Sequence, residues 1–208
     1  MAELLVAALF GMIVMATLYG FFQEQLFNLL SQETKTATLE DARGALDMMV
    51  RELRNAGSWG TGTQPTGCSR IVQATEFTIQ VQMDTRGASA GSAPDGDCGD
   101  SNENVTFTYS SPSGNIIRNV TTSPLVSNVI IPSGSRFLTY YPSGTDPAPY
   151  CYSTGNPAGC SGDLAANLAN IKRVKIAFAV QVQNPNPYSR SANPNISSTL
   201  SSSVEFRN

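Results

Sequence analysis

Nineteen consecutive residues, Leu4 to Phe22, carry no charge, and the chain then runs, without proline or a cluster of turn residues, into a one-sided stretch. An uninterrupted apolar run of about 18 or more residues reads as a membrane-spanning helix. Beyond it, Leu39, Ala42, Leu46, Met49, Leu53 and Ala56 recur at alternating spacings of three and four, which lines them along one face of an α-helix. Glu40, Asp41, Arg43, Asp47, Arg51, Glu52 and Arg54 fall between them, so the opposite face is predicted to be charged and wet, with Asp47 and Arg51 one turn apart. Gly57 supplies the stop. A helix from about Glu3 to Ala56 is roughly 80 Å long at ~1.5 Å per residue, far more than the ~30 Å of a bilayer's hydrocarbon requires. About half of it must project and pack on something.

After Gly57 the period changes. Glu76 to Met83 alternates apolar and polar residues, as a half-buried strand does, and Val105 to Tyr109 repeats the pattern. Asn115 to Val120, Leu125 to Ile131 and Arg136 to Tyr141 are further predicted strands, separated by turns at Pro112 to Gly114 and Pro132 to Gly134. Val174 to Val182 and Thr199 to Phe206 flank a loop rich in proline and asparagine and are paired as a closing hairpin, with one short helix expected over Asp163 to Ala169. An antiparallel meander is the simplest topology. The fold predicted is α+β: a long helix over residues 1–57, with a membrane half 1–23 and an amphipathic half 24–57, packed on the antiparallel sheet of a β-rich head over residues 58–208.

Composition narrows the chemistry. The chain has 208 residues with 13 basic and 16 acidic side chains, a net charge of −3 and no histidine. The 151 residues after Gly57 suffice for one domain with its own core. Without histidine the common catalytic triads cannot form, no glycine-rich phosphate loop follows a strand, and no carboxylate pair stands in an apolar setting, so no enzyme is expected. Bulk charge predicts no nucleic-acid partner. The one dense basic cluster, Lys172, Arg173 and Lys175, reads as the outward face of a strand. Phe10, Tyr19, Phe21, Phe22 and Phe27 read as helix packing rather than an electron path.

The abundance of Ser, Thr, Asn and Gly suits an exported surface, where cysteines oxidise. Four cysteines allow three pairings, of which the sequential one, Cys68 with Cys98 and Cys151 with Cys160, is favoured. No Cys-x-x-Cys motif or histidine supports a zinc site. Asp95, Asp97, Asp100, Asn102 and Glu103 crowd a glycine-containing turn, the hard-oxygen chemistry calcium prefers. EF-hand spacing is lacking, so the turn is read first as a solvated acidic loop, with calcium its candidate ligand. Three Asn-x-Ser/Thr sequons, at Asn104, Asn119 and Asn195, are read as chance matches in a Ser/Thr-rich chain. Glu3, at the mouth of the apolar run, is a functional candidate because an ionisable group at mid-bilayer depth costs roughly 2.5–3.5 kcal/mol on insertion scales.

Met1-Ala-Glu-Leu-Leu-Val-Ala7 resembles the core of the prepilin amino-terminal signature, with Glu3 in the place of the family's glutamate. Ala45 to Gly57, ALDMMVRELRNAG, is similar to the segment closing the long helix in PilW-type minor pilins and in the J pseudopilin of type II secretion, and Ser203 to Asn208 resembles their final strand. The resemblance to the type IV pilin superfamily covers the first quarter of the chain well and the rest loosely. It implies a bacterial filament subunit, read as a minor or tip-associated one, with the major pilin as the alternative. A membrane-tethered adhesin or binding protein is the reading from another class. In the family the carboxylate pairs with the amino terminus of an adjacent subunit, and Gly11 to Gly20 spans the stretch where local unwinding accompanies assembly. The expected partners are other pilin or pseudopilin subunits and, before assembly, the inner membrane; an extracellular or periplasmic filament follows. Family members are cut after a basic leader and begin with a methylated phenylalanine, so the leader and about two mature residues are expected to precede this numbering. A secretory signal peptide is the rival reading, but its apolar core is usually shorter and ends in a small-residue cleavage site. Gly20-Phe-Phe-Gln23 is not one.

Overall fold

The two hydrophobic periods become one helix and two sheets. In the computed structural model, which describes residues 2–60, 62–87, 92–119, 123–142, 148–152, 157, 159–184 and 194–206, α1 spans Ala2–Asn55. Strands follow in the order β1 Ile71–Ala74, β2 Thr78–Gln82, β3 Asn104–Ser110, β4 Asn115–Arg118, β5 Val129–Ile130, β6 Leu138–Tyr141, β7 Arg173–Gln183 and β8 Asn195–Glu205. Gly155, Asn156 and Ala158 between the second pair of cysteines, most of the loop between β7 and β8, Val120, Met1 and the last two residues lie outside the described residues. The chain divides into two compact units: residues 1–40 with 181–197, and residues 41–180 with 198–208.

In the first unit α1 exposes its whole apolar run, every residue from Leu4 to Phe22. The threonines that follow do not interrupt it, because Thr34, Thr36 and Thr38 each donate a hydroxyl to the carbonyl four residues back, at 2.8 Å. That bond satisfies a hydroxyl that would otherwise compete for the backbone.

In the second unit α1 buries Ala42, Ala45, Leu46, Met49 and Leu53, and Ala56, just past its end, is buried with them. Five of these are the predicted stripe and Ala45 joins them, while Leu39 is half-buried. The charged face differs from expectation at one residue. Glu52 is not wet: its carboxylate meets Arg118 of β4 at 3.0 Å with both side chains largely covered. The helix stops as predicted. Gly57 has φ +75°, where a side chain is strained, its N–H donates to Gln82 O at 2.9 Å, and a Cβ there would meet the Arg70 side chain at 2.9 Å.

In the first sheet β2, β3 and β4 follow the predicted meander and β1 is added at its edge, all antiparallel. The head is not a single sheet, however. In the second, β7 is hydrogen-bonded to β5, β6 and β8, so the closing hairpin forms but the meander does not continue. The segment Leu125 to Ile131 shows why. Val126 bridges Ile116 of the first sheet, whereas Val129 and Ile130 pair with Val180 and Ala179 of the second, and Asn128 makes the corner at φ +57°. One predicted strand therefore changes sheets and keeps two strand residues. Gly114 permits the crossing, since a Cβ there would lie 3.0 Å from Val129 O. The short helix expected over Asp163 to Ala169 is a 3-10 segment, Ala165–Asn170, with Asn167 off helical geometry. β1 was not predicted.

Alternate residues of β3, Val105, Phe107 and Tyr109, are buried with Ile79 and Val81 of β2, and the second sheet adds Leu138, Tyr140, Val174, Ile176 and Phe178. Ring contacts run from Tyr109 to Phe137 at 5.7 Å and from Phe137 to Phe178 at 6.3 Å. Disulfides join Cys68 to Cys98 and Cys151 to Cys160. Of the basic cluster, Lys175 is exposed, Lys172 half-buried, and Arg173 lies over the Tyr141 ring at 4.4 Å.

Two buried phenols set an alkaline limit. Tyr140 O–H donates to Thr75 O at 2.9 Å, and burial pushes its pKa well above 10.0, with Tyr152 adding to the rise. Tyr152 O–H donates to Leu138 O at 2.5 Å, and burial raises its pKa too. The folded state therefore holds these protons where the unfolded chain has lost them. Stability is full below the unfolded value of about 10 and falls as pH rises from there toward the folded values. Phenolate absorbance should accordingly show two of the seven tyrosines titrating only as the protein unfolds. Free titration of all seven in the folded chain would contradict it.

Candidate functional site

Two features stand apart from the core, one in each unit. On α1, Glu3 lies in the first turn, where unpaired N–H groups and the helix dipole favour a carboxylate. The helix is continuous through Gly11 and Gly20, and a Cβ at either would meet nothing within 4 Å. Packing within the chain does not require glycine there. Among the described residues this is the one helix long and apolar enough to cross a membrane, and none of that apolar window is buried.

The second feature is the connection from β2 to β3. Hairpin loops are usually 2–5 residues, yet β2 ends at Gln82 and β3 begins at Asn104. Cys98 ties this long segment to Cys68. Within it, one carboxylate oxygen from each of Asp95, Asp97, Asp100 and Glu103 lies within 4.8 Å of every other. Backbone turns help gather them: Asp97 N–H donates to Asp95 Oδ1 at 3.3 Å, and Gly99 N–H to Asp97 Oδ1 at 2.9 Å. Gly87 allows the approach, since a Cβ on it would come 2.8 Å from Asp95 Oδ2 and 3.0 Å from Ser92 Oγ.

This is not a solvated loop throughout. Glu103 is 0 % exposed, on the same inward parity as Val105, Phe107 and Tyr109. Its Oε1 accepts the N–H groups of Thr85 and Arg86, both at 2.9 Å, whereas its Oε2 is buried without a hydrogen-bond partner. Asp100 Oδ2 is buried and unpartnered as well. Burial raises the Asp100 pKa, and the charges of Asp97 and Asp95 raise it further. Among the described residues no lysine or arginine forms an ion pair with any of the four. Asn102, expected with them, is half-buried in the turn between Asp100 and Glu103.

Sequence reasoning missed the two amides that hold Glu103, and it missed Asp84. That residue is 0 % exposed with neither carboxylate oxygen hydrogen-bonded, while its backbone is fixed by Ser58 O and Gly60 N–H. Among the described residues no partner explains it. No protein-family model, curated protein or solved structure matches the chain.

Proposed function

We propose that this protein is a structural subunit of a bacterial filament of the type IV pilin class, a pilus or a type II secretion pseudopilus, in a minor or tip-associated position. The observation that carries the proposal is the exposed apolar surface of α1 over Leu4 to Phe22, on the same helix that packs its amphipathic end, residues 41–55, into the head. Apolar area is stabilised by about 25 cal/mol for each Å² removed from water, so a surface of this size requires lipid or other apolar helices. Held first in the inner membrane and then among neighbouring subunits, the helix exchanges one apolar surrounding for another and keeps most of that stabilisation. A carboxylate entering such a dry bundle is tolerated only when paired, and in this reading Glu3 meets the amino terminus of a neighbouring subunit. Unwinding around Gly11 and Gly20 accompanies the transfer, each glycine weakening the helix by roughly 1 kcal/mol relative to alanine.

The test compares wild type with Glu3→Ala in membrane and sheared-filament fractions. Wild type should appear in both, by mass spectrometry and immunogold labelling. The alanine variant should remain membrane-inserted and be depleted from filaments. Equal incorporation of the variant would remove Glu3 from assembly. Confinement of wild type to membranes would reduce the helix to an anchor, as in a tethered adhesin, and overturn the proposal.

A further inference from the structure

We propose that Asp95, Asp97, Asp100 and Glu103 bind one calcium ion, which fastens the turn from Asp95 to Glu103 within the β2–β3 connection. The inference rests on two independent observations. Four carboxylates converge, one oxygen from each lying within 4.8 Å of all the others. Oxygens on a calcium shell, at 2.3–2.6 Å from the ion, are at most about 5 Å apart. Separately, Glu103 is 0 % exposed and its Oε2, in the converging group's carboxylate, has no hydrogen-bond partner; Asp100 Oδ2 shares that condition. A buried carboxylate oxygen without a donor is costly, and no side-chain cation pairs with the four among the described residues. A bound cation removes both costs.

The donor set selects the ion. All four candidates are hard oxygens, the chain has no histidine, and its four cysteines are joined in disulfides, which leaves nothing for a metal that prefers nitrogen or sulfur. Magnesium demands a near-ideal octahedron and keeps several waters, whereas calcium accepts six to eight oxygens in irregular geometry, including buried carboxylates. The irregular turn around Asp97 and Gly99 and the dry Glu103 Oε2 suit calcium. Positioning is built in. The amides of Thr85 and Arg86 hold Glu103 by its other oxygen, Gly87 leaves room for Asp95, and Cys98 keeps the turn attached to Cys68.

The experiment titrates the full chain in detergent micelles, stripped of divalent ions, with calcium chloride and in parallel with magnesium chloride, by calorimetry and thermal melting. The expected result is one saturable calcium per chain and a melting temperature that rises with free calcium, with little response to magnesium. Glu103→Gln should abolish both signals. Asp97 is exposed, so Asp97→Asn keeps the fold and should weaken calcium binding about tenfold or more, because affinity follows the number of charged ligands. If Glu103→Gln does not fold, Asp97→Asn decides. Three results would overturn the site: no saturable uptake through the millimolar range of extracellular calcium modules, an equal response to magnesium, or wild-type affinity in Asp97→Asn.

Discussion

Leu53→Ala is expected to be among the most damaging single substitutions in the head. Leu53 is 0 % exposed in the last turns of α1, on the stripe with Ala42, Leu46, Met49 and Ala56. Truncating a buried leucine removes its transfer free energy and leaves a cavity, together costing ~2–5 kcal/mol. In a domain whose stability is ~5–15 kcal/mol, that is a large fraction. At ~2–4 °C per kcal/mol for a domain of this size, the melting temperature should drop by roughly 4–20 °C. Arg51, two residues earlier, is exposed, and Arg51→Ala should change stability by less than ~0.5 kcal/mol. Thermal melts of both variants in the same detergent make the check. Equal melting temperatures would mean that the helix presents a different face to the sheets.

The second large effect is expected from removing the Cys68–Cys98 bridge. It closes a loop with a sequence separation of 30 that contains β1 and β2, and the chain-entropy relation assigns such a loop about 3–4 kcal/mol. The Cys151–Cys160 bridge spans a separation of 9, so its loss should cost less, by about 1 kcal/mol on the same relation. Serine at both positions of each pair, melted under non-reducing conditions, should rank the two in that order. Non-reducing peptide maps of wild type should recover both links. A Cys68–Cys160 peptide, or free thiols in freshly isolated protein, would contradict the pairing and with it the ranking.

The membrane-length helix and the head ask different things of the same chain. Over Leu4 to Phe22 every side chain is exposed, so substitutions there should act on partners more than on folding. Over residues 41–56 the reverse holds. This division gives the proposed filament role its clearest signature: Glu3→Ala and Leu53→Ala should fail in different assays.

The sequence alone determined the long helix and its buried face and most of the strands, because a repeating pattern reports which face is buried. The spacing from Ala42 to Ala56 sufficed for the helix face, and alternation in Val105 to Tyr109 for β3. Its limits appear where the outcome depends on a partner far along the chain. Glu52 reads as one more wet acid until Arg118, 66 residues later, reaches it. Leu125 to Ile131 has the pattern of one strand, yet hydrogen bonding to Ile116 at one end and Val180 at the other divides it between two sheets. β1 escaped notice because one of its four residues is buried and its pairing to β2 supplies the order. Glu103 is the intermediate case. Its inward parity with Val105 was visible in the sequence, but its burial required the Thr85 and Arg86 amides, which the pairing of β2 with β3 brings within reach. Local periodicity encodes burial, while partners are chosen by which long-range pairings satisfy backbone and buried polar groups together, and only the tertiary structure decides that.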